Sequence, residues 1–422
     1  MMNQPMRVAW FAPLPPVRSG IASDNAELLP LLERDFAIDR FDEPRAHDFI
    51  WRNRRQPYDL VVYQLGNASC HNFIWAYLAR FPGLVVVHDP TLHQARAAQL
   101  LHERRDDDYR HEFWFDHPDA NRDVVEYAVE GLGGPIYYFW SMLRVVMKTA
   151  RLVAVNNERV AADLRQEFPD TPIESIRLGK SRPDISPALR AKMRAALGYP
   201  DEAVVFAAFG KITAEKRIGP IVHALSALVK DGIDARLLLA GDATDSPTLS
   251  TELTAGGVAG RVHVTGFVDE EAIGGFLAAA DVCVCLRWPT ARETSASWLH
   301  CLAAARPTIV SDLAHTVDVP ERVAVRVDLL DEDASLAGAM RRLAGDAPFR
   351  DGVARAGHEY WAANHTIDHS ADDYRRIIAS ALARPQPPTP ADLPSHFKRD
   401  HAESTRAILR QFGVSLDIIQ AG

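Results

Sequence analysis

Two lysines five residues apart lie in the segment Phe209-Gly210-Lys211-Ile212-Thr213-Ala214-Glu215-Lys216-Arg217, which closes the apolar run Val204 to Phe209. A loop at the carboxyl end of a strand lets the ammonium groups of Lys211 and Lys216 converge on a diphosphate. Each charge-assisted hydrogen bond is worth roughly 1.5–3 kcal/mol in a dehydrated cleft. The bland alternative leaves both lysines to solvent. A second segment, Leu286-Arg287-Trp288-Pro289-Thr290-Ala291-Arg292-Glu293-Thr294-Ser295, also follows an apolar run and precedes a helical stretch, Ala296 to Ala305. Thr294 or Ser295 suits the N-cap, and the unsatisfied N–H groups of that first turn carry about half a positive charge, a site for phosphate. Glu293 either accepts hydrogen bonds from sugar hydroxyls while the amides hold phosphate, or is a carboxylate drawn to the helix dipole. Ser19-Gly20 ends the loop after the first strand, where N–H groups at a helix start can face an anion; an ordinary connection explains it as well. His88 ends a further strand. It can hydrogen-bond a sugar hydroxyl or position an acceptor, with Asp89 setting its tautomer or capping the next helix, or it is simply satisfied by backbone.

Several chemistries are excluded. No G-x-x-x-x-G-K-[ST], G-x-S-x-G, H-E-x-x-H or C-x-x-C occurs, and Pro13 to Ile21 lacks the G-x-G-x-x-G spacing of a hydride-transfer enzyme. His71, His88 and His93 fall on separate loops without ligand spacing, and Asp106 to Asp108 read as a solvated helix face, so no metal is expected. The 47 Lys plus Arg against 56 Asp plus Glu leave a net charge of −9, which argues against a nucleic-acid partner. Four cysteines make no disulfide framework and suit a reducing compartment, the cytoplasm. Met1 to Trp10 is too short for a secretory signal. Pro135 to Val146, holding Tyr137, Tyr138, Phe139 and Trp140, falls short of the roughly 20 residues of a membrane span; it reads as a core helix, with peripheral membrane contact as the alternative.

The elements that must position these residues alternate between short apolar runs and helical stretches. Arg7–Ala12, Leu60–Gln64, Leu84–His88, Leu152–Val155 and Ile173–Ile176 read as strands, as do Val204–Phe209, Ala235–Ala240, Val262–Thr265, Val282–Leu286, Thr308–Val310 and Val323–Val327. The fold class is α/β, with two doubly wound Rossmann-like domains facing a cleft. The expected boundaries are 1–180 for the first, carrying a helical insertion at about 93–150, and 200–350 for the second. C-terminal helices follow at 351–384, then a Pro-rich linker and helical extension at 385–422.

In their order, G-K-x-x-x-x-K-R after a strand, Gly241-Asp242, Gly266-Phe267-Val268 and R-E-T-S before a helix resemble the retaining GT-B glycosyltransferases of family 4, the glycosyl transferases group 1. Tyr63 to Asn67 and Val87-His88-Asp89 support the resemblance, which covers roughly residues 6 to 383. It implies that the second domain binds a nucleoside diphosphate sugar and the first a hydroxyl acceptor, a saccharide among the candidates. Lys216 matches the family's phosphate-binding lysine, and Lys211 stands where arginine is more usual. Glu293 matches the first glutamate of E-x7-E, which meets donor-sugar hydroxyls, while Cys301 occupies the position of the second, which clamps the ribose. Gly266, Phe267 and Val268 would face the nucleobase, and His88 the transferred sugar. The implied activity is retaining, metal-independent hexosyl transfer without a cofactor, by same-face attack in which the leaving phosphate takes the acceptor's proton. A nucleotide-sugar epimerase of the same architecture, and a non-catalytic binding relative suggested by Cys301, are the alternatives.

Overall fold

The computed structural model describes residues 5–244, 246, 248–398, 408 and 410–413. Within the linker and helical extension expected at 385–422, residues 399–407, 409 and 414–422 lie outside these described residues. Two six-stranded, wholly parallel sheets carry the chain. The first contains β1 (Arg7–Phe11), β2 (Ala37–Phe41), β3 (Leu60–Leu65), β4 (Leu84–Val87), β5 (Leu152–Val155) and β6 (Ile173–Ser175), in the order β2-β1-β3-β4-β5-β6. The second contains β7 (Val204–Phe209), β8 (Ala235–Ala240), β9 (Val262–Val264), β10 (Val282–Cys285), β11 (Thr308–Ser311) and β12 (Val325–Val327), in the order β12-β11-β10-β7-β8-β9.

Alternate residues of each strand serve opposite faces. Along β1, Ala9 and Phe11 join one core, with Tyr63 and Val85, while Val8 and Trp10 join the other, with Val62 and Val86. Strands covered on both faces must be apolar throughout, which is why the sequence shows them as unbroken runs. β2 breaks that rule and was not anticipated. It is an edge strand holding Asp39 and Arg40, largely outside the core, so it lacks the apolar signature.

Strand order reverses at β1/β3 in the first sheet and at β7/β10 in the second. Such reversals open a crevice at the carboxyl ends of the strands, where ligands of doubly wound sheets sit. The loops after β7 and β10 are the two that hold Lys216 and Glu293, so topology alone brings them together.

Residues His93–His102, Asp106–Asp116 and Arg122–Val129 form helices of the insertion. The acidic triplet is the first turn of its helix, with Asp108 paired to Arg105 at 3.0 Å. The core helix expected over Pro135–Val146 is not present. Only Ile136–Phe139 forms a single turn, none of it buried, and Phe139 is 68% exposed. Arg144–Thr149 is a separate short helix. Gly133 and Gly134 before the turn and an extended Trp140 after it break the helical path.

Helix Ile367–Ala383 crosses back to the first domain, placing Tyr374, Ile377 and Ile378 in the core with Trp10. Beyond it the chain returns to the insertion, where Lys148 pairs with Asp392 at 2.6 Å and Leu393 is buried. No described helix is long and apolar enough to cross a membrane.

Candidate functional site

At the end of β7 the chain turns at Gly210, whose φ of +85° favours glycine. A Cβ at Gly210 would lie 2.6 Å from Lys216 Nζ and 3.3 Å from Ser297 Oγ. Three elements therefore meet here: the turn after β7, the 3-10 turn Ala214–Lys216, and the first turn of helix Ala296–Ala303. Lys216 turns its ammonium inward, donating to the Phe209 carbonyl. Burial, reinforced by nearby Arg287, lowers its pKa to about 7. Glu215 opposes that shift only in part, and an anion entering the corner would add counter-charge. Lys211 is exposed instead, on the same loop, where its charge and that of Arg18 act on Asp242.

Ser295 is the N-cap of helix Ala296–Ala303, accepting the N–H of Trp298 at 3.3 Å. Thr294 turns away, and its hydroxyl donates to the Asn156 carbonyl of the first domain at 2.9 Å. Glu293 is bound on both oxygens, by Arg287 Nε at 2.8 Å and by the Thr290 hydroxyl at 3.0 Å. Arg217 and Arg292, with φ of +57° and +63°, hold the left-handed conformation at the ends of the two loops. Non-glycine residues tolerate this at a cost of about 1–2 kcal/mol, and such residues gather at functional sites. Glu293, Thr294 and Ser295 line an open cavity of about 90 Å³ with Arg287, His315 and Trp298.

The first domain contributes less than expected through His88. Its Nε2 lies 2.7 Å from Gln64 Oε1 and its Nδ1 3.1 Å from the Asn156 amide nitrogen. Both ring nitrogens are occupied, and burial lowers the pKa to about 4, so the ring is neutral with the proton on Nε2. His88 borders a separate small pocket of about 10 Å³ with Gln64 and Tyr374. The expected contact between His88 and a sugar hydroxyl has no free ring nitrogen to make it. Asp89 neither sets the tautomer, which Gln64 and Asn156 do, nor caps the next helix, whose N-cap is Leu92; its Oδ2 accepts the Asn67 N–H at 2.7 Å.

Gly20 opens helix Gly20–Leu32, whose N-cap Ser19 makes no capping bond to it and whose first turn has no acidic residue. Phe267 is 44% exposed and carries the Arg18 guanidinium 4.3 Å above its ring. Gly266 has φ of +74°, and Val268 packs against the second-domain core. The turn Gly266 to Val268 thus lies at the rim of the cleft, facing the first domain's first loop. Cys301 is fully buried, with its sulfur 3.9 Å from that of Cys285. Position 301, where the resemblance expects a ribose-clamping glutamate, is packed among apolar side chains.

Residues that the motifs did not single out also converge. Arg287 lies 3.7 Å from Glu215 as well as beside Glu293. His315, buried in the loop after β11, is held by Asn157 through its carbonyl at 2.9 Å. Tyr138 of the insertion sits within the field of Asp89, Glu215, Arg287 and Glu293; burial first and these carboxylates next raise its pKa to about 12. Arg287 was legible inside the motif, but nothing in the spacing pointed to Tyr138 or His315.

Residues 203–346 match the family model described as glycosyl transferases group 1. Among curated relatives, the alpha-D-kanosaminyltransferase of Streptomyces kanamyceticus is 26% identical over 196 residues, 45% of this chain and 50% of that protein. A GDP-mannose-dependent alpha-(1-6)-phosphatidylinositol dimannoside mannosyltransferase of Mycobacterium tuberculosis is 36% identical over 104 residues, 24% of this chain and 26% of that one. The chain thus spans half or less of the length of these relatives. Among solved structures, sucrose-phosphate synthase from Thermosynechococcus elongatus superposes with a TM-score of 0.64 at 16% identity, covering 89% of this chain and all of that one. The Anabaena HepE protein in complex with UDP-glucose superposes with a TM-score of 0.63 at 15% identity and the same coverage. The fold is GT-B, and the second domain is a group 1 glycosyltransferase domain.

Proposed function

We propose, from a GT-B chain whose second domain is of the glycosyl transferases group 1, that it moves a hexose from a nucleoside diphosphate sugar to a hydroxyl acceptor without a metal ion. The observation that carries this reading is the corner at Gly210, where the Lys216 ammonium and the start of helix Ala296–Ala303 meet. Departure of a nucleoside diphosphate concentrates negative charge on the phosphate oxygens. A partly dehydrated ammonium and the first-turn amides stabilise that charge as it develops, the part a divalent cation plays elsewhere. Lys211, on the same loop and more exposed, steers the anion inward and reaches the outer phosphate. Gly20, across the cleft, offers a second helix start to the same anion. Glu293, held by Arg287 and Thr290, keeps one face for the sugar hydroxyls. The base rests on the turn Gly266 to Val268, beside Arg18 and Phe267.

Retention is what the resemblance implies. The relatives' names and titles print GDP-mannose and UDP-glucose, so uridine and guanosine diphosphates are the first donors to try. One observation favours a non-catalytic relative: Cys301 leaves the ribose without its expected clamp.

Incubation with UDP- and GDP-hexoses decides the matter. Release of nucleoside diphosphate, slow with water and faster with a saccharide acceptor, supports transfer. Binding with intact donor establishes the silent relative, and an isomerised sugar the epimerase. A thermal shift against the free diphosphates screens the base beforehand, since ligand at 100 times Kd stabilises by about 2.7 kcal/mol.

A further inference from the structure

We propose that Asp89 is the catalytic residue that receives the acceptor hydroxyl and takes its proton; this rests on the transferase reading above. The resemblance expects the leaving phosphate to do so, and His88 to stand nearest the sugar. Asp89 has the free atom that His88 lacks. Its Oδ2 is committed to the Asn67 N–H at 2.7 Å, and among the described residues Oδ1 has no hydrogen-bond partner.

The position follows from contacts on either side. Arg292, next to Glu293, donates to the carbonyl of Pro90, next to Asp89, at 3.4 Å. Thr294 holds Asn156, whose side chain in turn holds His88. The segments 88–90 and 292–294 are therefore stitched together, with Asp89 and Glu293 one residue from the same hydrogen bond. An acceptor bound between them meets a carboxylate from each domain, while Glu293 is already engaged by Arg287 and Thr290.

The groups facing Asp89 are few. From the first domain they are His71, whose buried Nε2 has no partner among the described residues, Cys70 on the same turn, and Tyr138 of the insertion. From the second they are Glu293, Arg287 and Arg292. A Cβ on Gly66 would lie 3.0 Å from His71 Nε2 and 3.1 Å from Asp89 Oδ2, so the two share one small space. Burial, then the charge of Glu293, raises the Asp89 pKa to about 6. A carboxylate poised there is ionised at neutral pH yet basic enough to accept a proton.

In the step, the acceptor O–H proton passes to Asp89 Oδ1 as the acceptor oxygen bonds to the anomeric carbon. The bond from that carbon to the diphosphate oxygen breaks, and its electron pair leaves with the nucleoside diphosphate, whose charge Lys216 meets. Asp89 returns the proton to water when product departs.

The test measures kcat and KM for the acceptor between pH 5 and 9, with calorimetry of the free nucleoside diphosphate, for the full chain and for Asp89→Asn and Asp89→Glu. In the unmodified chain, kcat/KM should fall tenfold per unit below about pH 6. Asp89→Asn should lose at least about 100-fold in kcat, lose that acid limb, and keep its diphosphate affinity within about twofold. Asp89→Glu should recover part of the activity with an acid limb of its own. An acid limb that persists in Asp89→Asn, or a kcat within about threefold of the parent, overturns the assignment and leaves the transferase intact. Absence of any sugar transfer by the unmodified chain overturns both.

Discussion

At Lys216 the ammonium is worth most when an anion is present. Its pKa of about 7 without ligand rises once a diphosphate sits beside it, so binding takes up a proton above pH 7. Affinity for UDP or GDP should be level below pH 7 and decline toward tenfold per unit above it; calorimetry at pH 8 in buffers of differing ionisation enthalpy reads the proton uptake directly. Lys216→Ala should weaken the diphosphate by at least about tenfold, ~1.4 kcal/mol, and flatten that pH dependence. Asp89 carries the opposite signature in folding. Its raised pKa means the carboxyl contributes stability below its unfolded value of 3.8, and that contribution is lost as pH rises through about 6. Asp89→Asn should therefore raise Tm at pH 7–8 by the equivalent of ~1 kcal/mol and leave it unchanged near pH 4, a result that an ordinary structural carboxylate would not give.

The helix Ala296–Ala303 and the turn at Gly210 act as one element pair. Gly210→Ala would place a methyl group against Lys216 Nζ and force a left-handed φ on a residue that resists it. We expect about 1–2 kcal/mol of lost stability and at least about tenfold weaker diphosphate binding, by thermal melts and calorimetry. Ser295→Ala removes only the cap, about 1 kcal/mol, and should disturb binding less. The lysine loop, the helix start and eleven strands could be read from period and motif because each is a local pattern. β2 could not, since an edge strand is excused from the apolar rule. The turn at Ile136–Phe139 was misread because four neighbouring aromatics resemble a core helix, yet the adjacent glycines and the extended Trp140 break the helical path.

Over the whole molecule, one buried part of the joint between the domains is ionic. Lys180, 1% exposed, lies 2.6 Å from Asp24, 3.1 Å from Glu27 and 3.5 Å from Glu270, and His300 is 2.9 Å from Glu270. The carboxylates of Glu27 and Glu270, with His300, come within 4.8 Å of one another, and the lysine ammonium stands among them as the cation. Burial raises the carboxyl pKa values, but Lys180 and Ser181 overcome this at Glu27, and the His300 bond and Lys180 at Glu270, which falls to about 2. Both depressed carboxyls add stability above the ordinary carboxylate range and lose it as pH falls. Lys180→Met should cost about 3–5 kcal/mol at pH 7, with the deficit in Tm narrowing toward pH 4 as the abandoned carboxylates protonate.

The residues themselves dictated two doubly wound sheets, the lysine-bearing loop and the capped helix, because apolar period, glycine position and capping chemistry act over a few neighbours. Which polar group of the first domain meets the cleft was decided only by folding. His88 and Asp89 are adjacent in the chain, yet one is spent on Gln64 and Asn156 and the other keeps an oxygen free. That difference arises from partners 24 and 68 residues away from His88, whose arrival no local pattern records.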